Sequence, residues 1–350
     1  MLAGYSYLGY ISDKKVSDSA LHAIDTYGLG THGTRPNCGT TEIHLELESL
    51  LCQVTRSSSA TLFPSGFQAN ISTIAALVGK NDIIMGDELN HASIVDGCKL
   101  SPAEFRAFKH NSLDDLKRIL KESGSFDNRL IIVDSIFSMD GDMAPVPELC
   151  QLCDDYTAVL MVDEAHSFGV LGESGFGITE YFNLSAGDID VITGVLSKTI
   201  PGTGGYACGT AELGEFLKHN ANSYIFSGSI SPYSVAVAIE AIRDMVLSNS
   251  RVNRLWANKK TFHEALKTKG MDIGNTCSPI TPIILGGSNI SLDAGKSCMD
   301  NCVFLVPVPF PLVPMGKSRL RATVTADHLE DDLLFAAEII ADAVNKARGD

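Results

Sequence analysis

The chain has 350 residues, of which 45% are hydrophobic, so it can bury a large core and is expected to be globular rather than disordered. Its 27 basic and 42 acidic residues give a formal net charge of −15, which argues against nucleic acid and anionic membrane surfaces as partners. The sequence contains no apolar run approaching the ~18 to 20 residues that span a bilayer and no recognisable signal peptide, and its nine cysteines form no disulfide pattern, so a cytoplasmic protein is predicted.

The first part of the chain predicts helices separated by loops rich in glycine. A short helix is expected at 17–27 and a loop at 28–33, and the next helix begins at Thr40 or Thr41. A further helix opens after Phe63-Pro-Ser-Gly-Phe and ends at Gly79, so Ser65, Gly66 and Phe67 lie at a helix N-terminus. Free N–H groups there can bind a phosphate, although an ordinary N-cap would give the same pattern.

Strands and helices alternate through the middle of the chain. Strands are expected at 82–86, 105–108, 130–133 and 158–163, and helices at 113–120 and 146–156. This alternation is typical of a mainly parallel sheet covered on both faces, whose binding sites lie at the carboxyl ends of the strands. Ser138, Asp163, His166 and Lys198 fall at such ends.

Two of these strand ends carry groups suited to one cofactor. A buried-type strand ends at Asp163, with His166 three residues later, and a second apolar run delivers Lys198 into a segment of small residues. Taken alone, Lys198 is more simply explained as a solvated lysine. Together with an acid that can hold a pyridinium proton, however, a lysine amine forms the equipment that pyridoxal phosphate requires.

The C-terminal part predicts a second, smaller domain. Helices are expected at 232–247, 251–269 and 329–347, and strands at 282–285, 303–306 and 319–323. The predicted domains are an N-terminal segment at 1–27, a large cofactor-binding domain at 28–248 and a small domain at 249–350. The pairs Cys150/Cys153 and Cys298/Cys302 have helical spacing and no further ligands beside them, so they are interpreted as core cysteines and no metal site is predicted.

Several motifs in this order resemble those of the α-oxoamine synthases, a family of pyridoxal-phosphate enzymes. They are Tyr7-Leu8-Gly9, Ser65-Gly-Phe-Gln-Ala-Asn70, Asn90-His-Ala-Ser93, Phe137-Ser-Met-Asp-Gly-Asp142, Val162-Asp-Glu-Ala-His166, Ser197-Lys198 and Arg319-Leu-Arg321. The resemblance implies an α/β fold of the fold-type I (aspartate aminotransferase-like) class, with a mainly parallel central sheet and a smaller C-terminal α/β domain. It also implies a decarboxylative Claisen condensation of an amino acid with an acyl thioester, giving an α-amino ketone, and a homodimer.

The same resemblance assigns roles to individual residues. Lys198 would bind the cofactor covalently and then act as the base, Asp163 would face the ring nitrogen, His166 would contact a ring oxygen and His91 would stack on the ring. The further residues implied to bind the cofactor are Ser65, Gly66, Phe67, Ser138, Ser197 and, reaching into the neighbouring subunit, Ser227. Arg321 would hold the substrate carboxylate, and Ser6 is placed in the substrate-binding entry segment.

The chain departs from the family pattern at three points. Ser6 replaces an asparagine, which puts its substrate contact in doubt, and Val195 replaces a Thr or Ser three residues before the lysine, which predicts weaker cofactor retention. Family members carry a few dozen residues before the first motif, so we expect either a removed N-terminal arm or a domain excised from a larger synthase. If 319–323 is a strand, Arg319 is expected to face away from the site and Arg321 toward it.

Alternatives to this function remain open at the level of sequence. The same scaffold supports other reactions, such as aldol cleavage of β-hydroxy amino acids, and silent partner subunits occur in heterodimeric synthases. Neither coenzyme A nor an acyl-carrier protein is excluded as the thioester carrier, and coenzyme A is preferred on family resemblance.

Overall fold

In the computed structural model, which describes residues 1–349, the chain divides into two units that do not follow chain order. The larger unit comprises Tyr10–Ser135 and Ala144–Ser248. The smaller comprises Met1–Gly9, Ile136–Met143 and the chain from Asn249 onward. The assignment of residues 1–27, 28–248 and 249–350 to functional domains stays a prediction.

The larger unit is built on a seven-stranded sheet. Its strands are β1 (Ser59–Phe63), β2 (Ile83–Asp87), β3 (Glu104–Phe108), β4 (Arg129–Asp134), β5 (Val159–Asp163), β6 (Val191–Val195) and β7 (Gly205–Gly209). Their order is β1-β7-β6-β5-β4-β2-β3, and only β7 runs against the rest. The central strands are buried on both faces, which explains their continuous apolar runs such as Leu130 to Val133.

Helices connect these strands and cover the sheet. In chain order they are α1 (Lys14–Tyr27), α2 (Glu42–Thr55), α3 (Gly66–Leu77), α4 (Ala92–Leu100), α5 (Leu113–Glu122), α6 (Val146–Tyr156), α7 (Ile178–Tyr181), α8 (Ala211–Asn220), α9 (Asn222–Phe226) and α10 (Pro232–Leu247), with a 3₁₀ turn at Tyr10–Ser12. Helix α3 packs its Ile74 into one core with Ile84, Leu130 and Met161 of the sheet. Because α3 is held along the sheet, its N-terminus is fixed at one sheet edge.

The smaller unit pairs three antiparallel strands with three helices. The strands β8 (Ile280–Gly286), β9 (Val306–Val308) and β10 (Ser318–Thr323) have the order β8-β10-β9. The helices are α11 (Ser250–Thr268), α12 (Ser288–Asp300) and α13 (Glu330–Arg348). Their apolar faces meet in a core that contains Phe262, Cys298, Leu320 and Ile340.

The predicted fold class is confirmed: the central sheet is mostly parallel, and a small antiparallel sheet accompanies it. Two local predictions were wrong: β9 lies at Val306–Val308 instead of 303–306, and Cys302 lies beyond the end of α12 with φ 64°. Strands β1 and β7 were not predicted at all. Within residues 1–349, no helix combines the length and the apolar character needed to cross a bilayer.

Candidate active site

One edge of the large sheet collects the polar residues of the predicted site. Strands β1, β2, β4, β5 and β6 end at this edge, and β7 begins there, with Gly205 opposite both Phe63 and Val195. Asp134 and Asp163 are register partners at the ends of β4 and β5. The segments that follow these strands therefore place Ser65, His91, His166 and Lys198 around one edge.

Asp163 is held by hydrogen bonds to both of its oxygens. The side chain is 3% exposed, Oδ2 accepts from Asn70 Nδ2 at 2.6 Å, and Oδ1 accepts from Ala165 N at 2.8 Å. Hydrogen bonds to both oxygens fix the orientation of the carboxyl group. Asp163 can therefore present a fixed hydrogen-bond acceptor at the end of β5.

Lys198 and His166 lie next to each other. The Nζ atom of Lys198 is 2.9 Å from Nε2 of His166, a distance that makes the pair a hydrogen bond. His166 is buried and Lys198 is half-buried, on the loop that follows β6. The amine is thus directed along the sheet edge toward the loop that follows Asp163.

His91 caps helix α4 and remains accessible to solvent. Its Nδ1 accepts from Ser93 N at 3.2 Å, and its own backbone N–H donates to Asp134 Oδ2 at 2.6 Å. Partial burial of the ring, helped by the positive charge of Lys198, lowers the pKa of His91, although the charge of Asp163 opposes this shift. His91 is therefore expected to be a neutral imidazole at neutral pH.

The N-terminus of α3 provides the anion-binding part of this edge. Ser65 caps the helix by accepting from Gln68 N at 3.2 Å, and the N–H groups of Gly66 and Phe67 precede the first intrahelical bond. Gly66 packs so tightly that an added Cβ would overlap Cγ1 of Val195. Val195 thus presents methyl groups against this helix end, where the family pattern has a hydroxyl.

Two buried acids behind the edge were not assigned from the sequence. Burial raises the pKa of Asp134 well above its ordinary value, and the charge of Asp163 adds to the shift. Burial also raises the pKa of Glu164 to about 8, against hydrogen bonds from Ser167 and Ile178 that lower it. A buried acid inside a strand-end motif is the sequence signal that could have identified both.

The remaining predicted residues of the larger unit lie on loops. Ser197 is exposed beside Lys198, and Ser227 is half-buried directly after α9. The segment after Ser227 is fixed within the unit, since Gly228 forms an isolated bridge with Thr34.

The other predicted residues, Ser6, Ser138 and Arg321, belong to the smaller unit. Arg321 is 8% exposed, and its Nε donates to the backbone oxygen of Ser138 at 2.6 Å. Ser6 Oγ is buried and has no hydrogen-bond partner among residues 1–349.

The expectation that Arg319 faces away from Arg321 was wrong. The guanidinium of Arg319 binds Asp140 at 2.6 Å and Met139 O at 2.9 Å, so both arginines reach the same loop. Alternate residues of a strand share one face, so side chains two positions apart point the same way. Arg319 therefore fixes the loop that Arg321 also contacts.

The residues at the sheet edge fit pyridoxal phosphate. They include a lysine amine, an acceptor carboxylate, two imidazoles and a helix N-terminus, which match the aldehyde, ring nitrogen, ring and phosphate of that cofactor. Lys198 Nζ lies 2.9 Å from Nε2 of His166, which is on the loop directly after Asp163, so the amine and the carboxyl group share this part of the edge.

Comparison with known proteins gives one consistent answer. Residues 5–340 match the family described as aminotransferase class I and II. The chain belongs to this family, in its α-oxoamine synthase group. Members of the group are pyridoxal-phosphate-dependent acyltransferases, and their reaction is the decarboxylative condensation of an amino acid with an acyl thioester.

Named relatives of this α-oxoamine synthase cover nearly its whole length. It is 42% identical to the 8-amino-7-oxononanoate synthase of Thermoanaerobacter pseudethanolicus, over 95% of this chain and 84% of that protein. It is also 42% identical to the synthase of the same name from Treponema denticola, over 99% and 88%. Among solved structures, serine palmitoyltransferase of Sphingomonas wittichii superposes with a TM-score of 0.95 at 31% identity, covering 99% of this chain and 87% of that one.

Proposed function

We propose that this α-oxoamine synthase is an 8-amino-7-oxononanoate synthase. The product name fixes the carbon skeleton, a nine-carbon acid with a ketone at carbon 7 and an amine at carbon 8. Carbons 8 and 9 with the amine correspond to alanine after loss of its carboxylate, and carbons 1 to 7 correspond to a seven-carbon dicarboxylic acyl group. The proposed substrates are therefore alanine and the thioester of heptanedioic acid.

The observation that carries this proposal is the pairing of Lys198 with His166 at 2.9 Å, beside a carboxylate anchored at both oxygens. A catalytically silent partner subunit would not require Lys198, His166 and Asp163 to be held together. The choice of alanine over serine rests on relatives of the same name at 42% identity, against 31% for the serine palmitoyltransferase.

The bound cofactor supplies an electron sink for the bonds at the amino acid Cα. Lys198 would hold the cofactor through its Nζ, and the same amine, when free, would remove the Cα proton of the substrate. Asp163 would accept a hydrogen bond from the ring nitrogen, and His166, 2.9 Å from Lys198 Nζ, would orient that amine. His91 would contribute a neutral imidazole to the ring site, and Ser65, Gly66, Phe67, Ser138, Ser197 and Ser227 would contribute phosphate or ring contacts.

Substrate binding is assigned to the smaller unit. Arg321 presents a guanidinium whose fork geometry suits a bidentate carboxylate, with its Nε already anchored on Ser138 O. Arg319 is committed to Asp140 and Met139, which leaves Arg321 as the arginine for the substrate. The buried hydroxyl of Ser6, which has no partner in the part of the chain that the structure describes, would be satisfied by a substrate group.

The test is a panel of amino acids offered with heptanedioyl-coenzyme A, with the amino ketone measured by mass spectrometry. Alanine should exceed serine and glycine in kcat/KM by at least about tenfold. Preference for serine with a long unbranched acyl chain would contradict the proposal. The same acyl group on a phosphopantetheinylated carrier protein serves as a second donor, and coenzyme A is expected to be used at least equally well.

The active form is proposed to be a cytoplasmic homodimer. Phe226, immediately before Ser227, is 77% exposed, and Leu29 in the glycine-rich loop is 72% exposed, so a neighbouring subunit that reaches this segment would cover both side chains. We expect Phe226→Asp to shift the protein from dimer to monomer in sedimentation and to lose activity. An active wild-type monomer would rule out the dimer.

A further inference from the structure

Asn70 lies within helix α3, yet its side chain is buried and fully engaged. It is 2% exposed, Nδ2 donates to Asp163 Oδ2 at 2.6 Å and to Ser93 Oγ at 2.8 Å, and Oδ1 accepts from Thr193 Oγ1 at 2.8 Å. The amide orientation follows from charge, because the reverse orientation would place the amide oxygen against the Asp163 carboxylate. The two N–H groups of Asn70 therefore donate to two different elements, β5 and α4.

The bond from Asn70 to Ser93 decides which atom is the donor in the hydrogen bond between Ser93 and His91. Ser93 is 1% exposed, and its Oγ accepts from Asn70, so its single hydrogen is available for His91 Nδ1, which lies at 2.8 Å. The backbone N–H of Ser93 also points at Nδ1, at 3.2 Å. An Nδ1 atom that faces two donors carries no proton, so the neutral His91 ring holds its proton on Nε2.

The second N–H group of Asn70 donates to Asp163. With Asn70 at Oδ2 and Ala165 at Oδ1, the carboxylate cannot rotate without breaking one of two bonds. The chain from Asp163 through Asn70 and Ser93 to His91 is thus continuous, and every member except His91 is buried.

We propose that Asn70 is a positioning residue that couples Asp163 to His91, holding the Asp163 carboxylate in place and fixing the Nε2–H tautomer of His91. This inference rests on the proposed function only for the role of the two coupled residues; the tautomer is a property of the protein without cofactor as well. The resemblance to a family motif placed Asn70 in the chain but gave it no role.

The test uses ¹⁵N-histidine-labelled protein, with and without pyridoxal phosphate, and His91→Gln to assign the His91 signals. Wild type should show an unprotonated Nδ1 and a protonated Nε2 in both forms. Ser93→Ala removes the shorter of the two donors to His91 Nδ1 and leaves the backbone N–H and the Asn70 to Asp163 bond, so the His91 signals should shift and the share of the Nε2–H tautomer should fall, while the cofactor dissociation constant stays within about threefold of wild type.

Asn70→Ala removes the hydrogen bonds to both Asp163 and Ser93. It should disturb the His91 signals as Ser93→Ala does and, in addition, raise the pyridoxal phosphate dissociation constant by at least about tenfold. Ser72→Ala is the matched control, since Ser72 is buried on the same helix and its Oγ accepts from Ser223 N, outside the Asp163 and His91 network. Ser72→Ala should change neither readout.

The outcomes separate the two proposals. Wild-type protein that binds no pyridoxal phosphate would overturn the proposed function, and the tautomer of the cofactor-free protein would still decide the inference. Unchanged His91 signals in Ser93→Ala would overturn the coupling even if Asn70→Ala fails to fold. A folded Asn70→Ala that binds the cofactor as tightly as wild type would overturn the role of Asn70 at Asp163.

Discussion

At the scale of single residues, the chemistry depends on charged groups that the fold holds at strand ends. Asp163 is buried with a hydrogen-bond donor at each of its two oxygens, whereas burial raises the pKa of Glu164, one position later, to about 8. The environment of each carboxyl, and not its position in the sequence, thus decides its part in the site.

Glu164 makes the stability of the protein dependent on pH. Its pKa rises from an ordinary 4.5 to about 8 in the fold, so its stabilising contribution is complete below about pH 4.5 and is lost as the pH rises through about 8. Each pH unit in this window removes up to about 1.4 kcal/mol. Urea unfolding should therefore show a lower free energy of unfolding at pH 8 than at pH 6.

Glu164→Gln provides the comparison, because the amide resembles the protonated acid in shape and cannot titrate. We expect the variant to lose less stability than wild type between these two pH values, by about 2 kcal/mol. Equal losses in both proteins would mean that another group causes the pH dependence.

At the scale of elements, the position of α3 decides whether its N-terminus can hold a phosphate. The helix end contacts β6 and β7, where Gly205 is so close that its own added Cβ would lie 2.5 Å from Gly66 Cα. Two glycines are therefore needed where the helix meets the strands.

We predict that Gly66→Ala weakens cofactor binding by at least about tenfold and lowers the melting temperature, because the new methyl must displace Val195 or the helix end. Gly124→Ala is the control, since no atom of residues 1–349 lies within 4 Å of its Cβ position. The double variant Gly66→Ala/Val195→Ala should recover part of the affinity. Normal binding by Gly66→Ala alone would show that the close contact is not needed.

Several elements could be predicted from the sequence because their signals are local. The strand that ends at Asp163 and the helices α6 and α10 have long apolar patterns, and each was found within a few residues. Strands β1 and β7 were missed because they contain glycine, serine and alanine, and their pairing with each other is non-local. Asn70 belongs to a motif that is visible in the sequence. Its hydrogen bonds to Asp163 at the end of β5 and to Ser93 in α4 could not be predicted, because only the folded chain brings these elements together.

At the scale of the whole molecule, the chain folds as two units of unequal size, and each carries part of the predicted machinery. The larger holds the groups suited to the cofactor, and the smaller holds Arg319, Arg321 and the loop that both arginines contact. No single boundary in the sequence separates the two units, because segment 136–143, which follows β4, belongs to the smaller unit.

The proposed function requires that Lys198 is the lysine that binds pyridoxal phosphate. Reduction of the cofactor-loaded protein with borohydride, followed by proteolysis and mass spectrometry, would identify the modified residue directly. We expect a pyridoxyl label on Lys198 and its absence in Lys198→Ala. A label on any other lysine, or an unlabelled Lys198 in protein that retains the cofactor, would contradict it.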